Sequence, residues 1–394
     1  MEKVCTYPIV FVHGLFGWGA DEGIDKKLPY WGATTGSLTD FLNENGFETY
    51  SASVGPISSA WDRACELFAR LTGTRVDYGK VHAKRAHHRR FGRAYNEPLF
   101  AHWGSEKKVH LIGHSFGGTT IRLLAHLLRC GDAEEREGTD PQSLSPLFAG
   151  GHEDWVQSVT TLCSPHNGSL LFSALDYYKM LPMTRAVVYN WAGIVGRSRA
   201  EGGMVDFHLE QYGMSDTPGK QDTYPLRRAK QQYMHNDDNT EHDIGPEGAQ
   251  ELNAHIEICP NIYYFSYAYN AVTQSDPEKR GKADEADFPF LRLTANLIMR
   301  YNSTKSRENE RGLPNDGLVN LESALYPKNE PHRDFDPSCL QPGIWNVMPV
   351  QTGDHGTAIG LFADKDQTHR FYLDHLDILR ETEGAAAAEQ TAAG

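Results

Sequence analysis

Val109-His110-Leu111-Ile112-Gly113-His114-Ser115-Phe116-Gly117-Gly118, followed by the apolar-periodic run Thr119 to Leu128, is the stretch on which the fold turns. A short, continuous apolar run bounded by glycine reads as a buried strand, and the spacing after it reads as a helix. Between them Gly113-His114-Ser115-Phe116-Gly117 matches G-x-S-x-G. A strand, a sharp turn and a helix in that order lift a serine above the edge of a parallel sheet, and only small residues allow a turn so tight. Ser115 is therefore the candidate nucleophile.

Working outward, the same rhythm repeats. Ile9 to Val12 runs into His13-Gly14, and Val159 to Cys163 stops at the turn cluster Ser164-Pro165-His166-Asn167-Gly168. Leu38 to Asn45 and Trp61 to Leu71 carry helical apolar spacing between the first two strands, and Gln367 to Leu379 reads as a final helix. Alternating strands and helices predict an α/β fold with a mostly parallel central sheet flanked by helices. One domain over residues 1–383 is expected, with insertions at about 56–102, 169–248 and 274–312, because no separating linker lies between them. The Ala-rich end, 384–394, is expected to be a disordered tail.

The 394 residues, 39% hydrophobic and 23% charged, suffice for a sizeable core. No run approaches the roughly 18 apolar residues of a membrane-spanning helix. The start lacks a charged region followed by a small-residue cleavage site, so no export signal is expected. A formal charge of -14 argues against a nucleic-acid partner and against strong attraction to anionic membranes. The six cysteines are scattered, with no C-x-x-C pair and no short regular spacing, so neither a disulfide framework nor a thiolate zinc site is indicated and free thiols are expected. Oligomeric state has no signal here.

A serine hydroxyl needs a base and an orienting acid, which this strand-turn-helix arrangement supplies in the order Ser, Asp or Glu, His. Of 18 histidines, His355 is the best placed, in the turn-rich Gly353-Asp354-His355-Gly356, whereas His369 and His375 fall in the final helix. Asp316, in Asn315-Asp316-Gly317-Leu318-Val319, is preferred as the acid over Asp354, whose side chain is the sequence neighbour of His355 and so is poorly aimed at it. Developing oxyanion charge calls for two backbone donors, expected from the N–H groups of Phe116 and Leu15.

These residues together resemble the zinc-containing bacterial lipase family, the thermophilic Bacillus-type (Geobacillus) and staphylococcal triacylglycerol lipases of the α/β-hydrolase superfamily. The resemblance rests on Pro8 to Gly19, on Val54-Gly55-Pro56-Ile57-Ser58-Ser59-Ala60-Trp61-Asp62-Arg63-Ala64-Cys65-Glu66, on Val76-Asp77-Tyr78-Gly79 and Phe91-Gly92-Arg93, and on Leu144 to Phe148. It continues through Ser158 to Thr161, Ser164 to Gly168 and Asn315 to Asn320. It implies the triad Ser115, Asp316 and His355. It also implies a structural zinc on Asp62, His82, His88 and Asp238, although His87 competes with His88 when the residues are read alone. Four protein ligands leave no open position for water. The family's calcium site is not carried over, because Thr357 and Phe362 stand where its pattern has Glu and Asp, and a phenyl ring offers calcium no oxygen.

A helical lid is further implied. Met183 to Val195, with Ala186, Val187, Trp191 and Val195 at helical spacing, either is buried on all sides or covers a greasy pocket, and Arg197 to Gly203 could hinge it. The expected activity is hydrolysis of carboxylic esters of acylglycerols through an acyl-enzyme, with a lipid or ester substrate met at a lipid-water interface. A phospholipase or short-chain carboxylesterase on the same scaffold is the alternative, and a non-catalytic lipid-binding protein the more distant one.

Overall fold

The computed structural model describes residues 5–180, 182, 205–212, 236–273, 281–305 and 313–393. The segments expected to form the lid and its hinge, 183–195 and 197–203, lie outside the described residues.

Among the described residues, eleven strands follow in chain order: β1 (Ile9–Val12), β2 (Thr49–Ala52), β3 (Arg75–Asp77), β4 (Phe91–Ala94), β5 (Val109–His114), β6 (Val156–Leu162), β7 (Tyr263–Tyr267), β8 (Tyr269–Asn270), β9 (His332–Asp334), β10 (Trp345–Val347) and β11 (Gln351–Thr352). Seven of them form the central sheet in the order β2-β1-β5-β6-β7-β10-β9. Every pairing in it is parallel. The second half of this sheet was not legible beforehand. Its strands are short and rich in Tyr, Trp and Asn, so they lack the aliphatic runs that marked β1, β5 and β6.

Residues of β1 alternate between two cores. Val10 and Val12 face the layer of α2 (Ala60–Thr72) and α4 (Phe116–Cys130), while Ile9 and Phe11 face α1 (Leu38–Glu44) and the closing helix Lys365–Ala393. All four are fully buried, as a parallel sheet covered on both faces requires.

α2 starts where the Ser59 hydroxyl accepts from Asp62 N–H, and it stops at Gly73, whose φ of 68° suits glycine. Between these caps Asp62, Arg63 and Glu66 are all buried, so this helix presents polar groups to the interior on purpose. The antiparallel pair β3–β4 and the short α3 (Lys80–Arg85) pack beside it and carry the first insertion. The apolar patch of the third insertion lies on the helix Pro289–Lys305.

The closing helix runs on to Ala393, past Gly384, where a disordered tail was expected. Ala, Glu and Gln are strong helix formers, and they extend a helix already anchored by buried Tyr372, Leu376 and Leu379. No described helix is long and apolar enough to cross a membrane.

Candidate active site

β5 ends at His114 and α4 begins at Phe116, which leaves Ser115 alone at the junction with φ 55° and ψ -127°. That is a strained conformation for a residue with a side chain, and it is held by Ser115 N–H donating to Leu162 O on the neighbouring strand at 2.8 Å. A Cβ at Gly117 would stand 2.1 Å from Val12 O, so the glycine lets α4 press against the end of β1.

Asp316 and His355 come from loops at the same end of the sheet. His355 Nδ1–H donates to Asp316 Oδ2 at 2.7 Å, and His355 N–H donates to Asp316 O at 2.8 Å. The other carboxylate oxygen, Oδ1, accepts Leu318 N–H at 2.9 Å and Val319 N–H at 2.7 Å. Both residues are buried, at 1% and 5% exposure, and the acid is therefore fixed in orientation by groups that only an oxygen acceptor satisfies.

His114 connects this pair to the serine turn. His114 Nε2–H donates to His355 O at 2.9 Å, and the two rings lie 4.6 Å apart. On its other side Tyr30 O–H donates to His114 Nδ1 at 2.7 Å and accepts Gly14 N–H at 3.0 Å. Burial, and then the nearby His355, hold the His114 pKa well below the usual imidazole range, so it serves as a neutral strut. Among the described residues Ser115 Oγ makes no hydrogen bond to His355, a contact that commonly tightens only with substrate bound.

Leu15 and Phe116 N–H groups have no acceptor among the described residues. Phe116 is the first residue of α4, where a helix leaves its amides free and positive. Sequence reading missed Tyr30 and Cys163. The Cys163 thiol is buried beside His114 and His355, and burial, followed by the charge of Asp316, pushes its pKa far up. No local pattern announces either residue, since each reaches the site only through tertiary packing.

The remaining carboxylate candidate, Asp354, is engaged elsewhere. Its Oδ1 accepts Gly356 N–H at 2.9 Å, and its Oδ2 accepts Phe288 N–H at 2.9 Å. Thr357 bonds back to Asp354, and the half-exposed Phe362 ring stacks on Phe288 at 5.1 Å.

A second cluster gathers Asp62 from α2, His82 from α3, His88 from the loop after it, and Asp238 from a remote segment, with one ligand atom of each within 4.8 Å of all the others. The imidazole-to-carboxylate distances are 3.3–3.7 Å. Donors about 2.0–2.1 Å from a tetrahedral ion stand about 3.3 Å from one another. Asp62 Oδ1, His82 Nε2, His88 Nε2 and Asp238 Oδ2 are buried with no hydrogen-bond partner, the mark of atoms aimed at something else. His88 Nδ1–H donates to Arg89 O at 2.8 Å, which leaves Nε2 as the free lone pair. His87 takes no part in the cluster.

The profile of the family described as "Lipase-like, C-terminal domain" matches residues 5–386. Lipase 1 of Staphylococcus aureus is 37% identical over 358 residues, 90% of this chain and 50% of its own, so the chain spans about half the length of this relative. The crystal structure of Staphylococcus hyicus lipase superposes with a TM-score of 0.81 at 32% identity, covering 97% of each chain. EstA from Clostridium botulinum superposes with a TM-score of 0.80 at 34% identity, covering 96% of this chain and 88% of its own.

Proposed function

The chain belongs to the lipase-like C-terminal domain family, and on that premise we propose that it is a serine carboxylester hydrolase acting on acylglycerols, triacylglycerols first among them. The observation that carries the reading is the 2.7 Å bond between Asp316 and His355, coupled through His114 to the turn that bears Ser115.

In the proposed reaction His355 Nε2 takes the Ser115 proton as Oγ attacks the ester carbonyl. Asp316 holds the imidazole with Nδ1–H facing it and stabilises the imidazolium. The oxyanion lies against the N–H groups of Leu15 and Phe116. Collapse of the tetrahedral species breaks the ester bond, the proton on His355 passes to the departing alcohol, and an acyl-Ser115 remains. Water, deprotonated by the same His355, then releases the fatty acid and restores the serine.

Asp62, His82, His88 and Asp238 fit a structural zinc. Bound there, it would join α2 and α3 to the remote segment around Asp238, and four protein ligands would leave it no position for a hydrolytic water.

Hydrolysis of a p-nitrophenyl ester series by wild type and Ser115→Ala tests the reading. Turnover falls by about 10,000-fold or more in the variant, and a serine-directed phosphonate attaches to wild type alone. Equal turnover in both would remove Ser115 from the reaction, and absent turnover in both would leave the fold without this activity. A preference for soluble short-chain esters over emulsified long-chain ones would favour the short-chain carboxylesterase.

A further inference from the structure

We infer that Arg63 is a positioning residue for the proposed ester hydrolysis, joining the two backbone segments whose N–H groups receive the oxyanion and placing a fixed positive charge behind them. This rests on the esterase reading above.

Arg63 projects from α2 and is fully buried. One terminal nitrogen donates to His13 O, the carbonyl immediately before Gly14-Leu15. The other donates to Gly55 O at 2.8 Å. Nε–H donates to Thr120 Oγ1 at 2.8 Å, and that hydroxyl in turn donates to Phe116 O at 3.1 Å. The guanidinium carbon also lies 5.3 Å from the centroid of the Phe116 ring. A single side chain thus holds the loop of one donor and the helix start of the other.

Among the described residues the guanidinium's hydrogen-bond acceptors, Thr120 Oγ1, Gly55 O and His13 O, are all neutral, and no carboxylate is within ion-pair distance of it. Glu66, one turn along α2, is occupied by Gly55 N–H and the Tyr78 hydroxyl. Burial lowers the Arg63 pKa to about 10, with Glu66 opposing, and the group stays charged at neutral pH. A buried cation without a partnered anion is costly for stability alone. The same charge gains value when negative charge develops beside it in a water-poor site. Lysine could carry the charge but not the three-way fork.

The test uses wild type, Arg63→Lys and Arg63→Met on a soluble p-nitrophenyl ester. It also measures inhibition by a trifluoromethyl ketone, whose serine adduct carries an anionic oxygen, and by a non-electrophilic ketone of the same shape. In Arg63→Met kcat falls by about 30- to 100-fold, somewhat less than for loss of a direct donor. KM stays within about threefold, affinity for the trifluoromethyl ketone falls by the same factor as kcat, and affinity for the plain ketone holds. Arg63→Lys recovers part of the loss.

Unchanged kcat, or a loss shared equally by both ketones, overturns the inference. If Arg63→Met does not fold, Thr120→Val decides: the same pattern at about 5- to 10-fold supports it, and wild-type kinetics overturn it. Wild type that neither turns over ester nor takes the phosphonate refutes the functional reading itself, before any Arg63 variant is made.

Discussion

Asp316 and Asp354 are both buried carboxylates beside His355, and their hydrogen bonds divide the work between them. Asp316 gives one oxygen to the imidazole and the other to two backbone amides, whereas Asp354 gives both of its oxygens to backbone amides of the loop and of Phe288. Burial raises the Asp354 pKa against those amides, so its role is to shape the turn. Asp316→Asn should therefore lower kcat by about 1,000- to 10,000-fold, because the amide favours the wrong imidazole tautomer. Asp354→Asn, which keeps an acceptor oxygen for the loop, should stay within about tenfold of wild type. Steady-state kinetics on one ester decide this, and the reverse order would make Asp354 the acid. Sequence could weigh these two because chain order and the poor mutual aim of neighbouring side chains are local arguments. Tyr30, Cys163 and Arg63 had no such signal: Arg63 was visible within Trp61 to Glu66, but what its guanidinium touches depends on how β1, α2 and α4 come together.

Among the elements, α2 contributes at both candidate centres, since Asp62 belongs to the cluster with His82, His88 and Asp238, and Arg63 donates to the carbonyl just before Gly14-Leu15. Trp61 adds a stacked contact to His82 at 4.9 Å, and Gln211 Nε2–H donates to the second oxygen of Asp62 at 2.9 Å. With an ion bound, two carboxylates and two imidazoles would become ligands; without it, the four atoms that face one another, Asp62 Oδ1, His82 Nε2, His88 Nε2 and Asp238 Oδ2, lack a hydrogen-bond partner. We predict that freshly purified protein holds about one zinc and that chelation or Asp238→Ala removes it. A metal present at about 1,000 times its Kd contributes about 4 kcal/mol, on the order of 5–10 °C in melting temperature for a large domain. Metal analysis with a thermal scan checks this, and an unchanged scan after complete zinc loss would deny the cluster its structural role. The same elements mark how far periodicity reaches. β1, β5, β6, α1 and α2 were legible from apolar runs and spacing, and α4 was legible although it begins at Phe116, nearer the serine than Thr119. β7, β9 and β10 were not, because aromatic and polar residues buried by neighbouring layers carry no simple period.

Over the whole molecule, His208 draws together parts far apart in the chain. Its Nε2 lies 3.4 Å from Glu22 of the segment after β1, and its Nδ1 lies 3.4 Å from Glu66 of α2, with all three side chains buried. Arg93 of β4 pairs with Asp206 at 2.7 Å and with Glu210, which ties the same stretch, 205–212, to the first insertion. Val205 and Phe207 pack with Ile57, Leu15 and Phe16, so this clasp sits behind the loop that bears Leu15, the proposed oxyanion donor. Burial and then the Arg93 charge oppose protonation of His208, but Glu66 and Glu22 outweigh them and hold its pKa up to about 10, against 6.5 ordinarily. A pKa raised on folding contributes stability that is complete below the unfolded value and is lost as pH rises through the folded one. The clasp should thus weaken between pH 6.5 and about 10. His208→Gln should melt several degrees lower than wild type at pH 7 and show a flatter decline across that window, the two curves converging toward pH 10. Thermal scans of both proteins over the range measure the difference. Parallel curves would mean that His208 is neutral in the folded protein and that the two glutamates are balanced by Arg93 and their backbone donors instead.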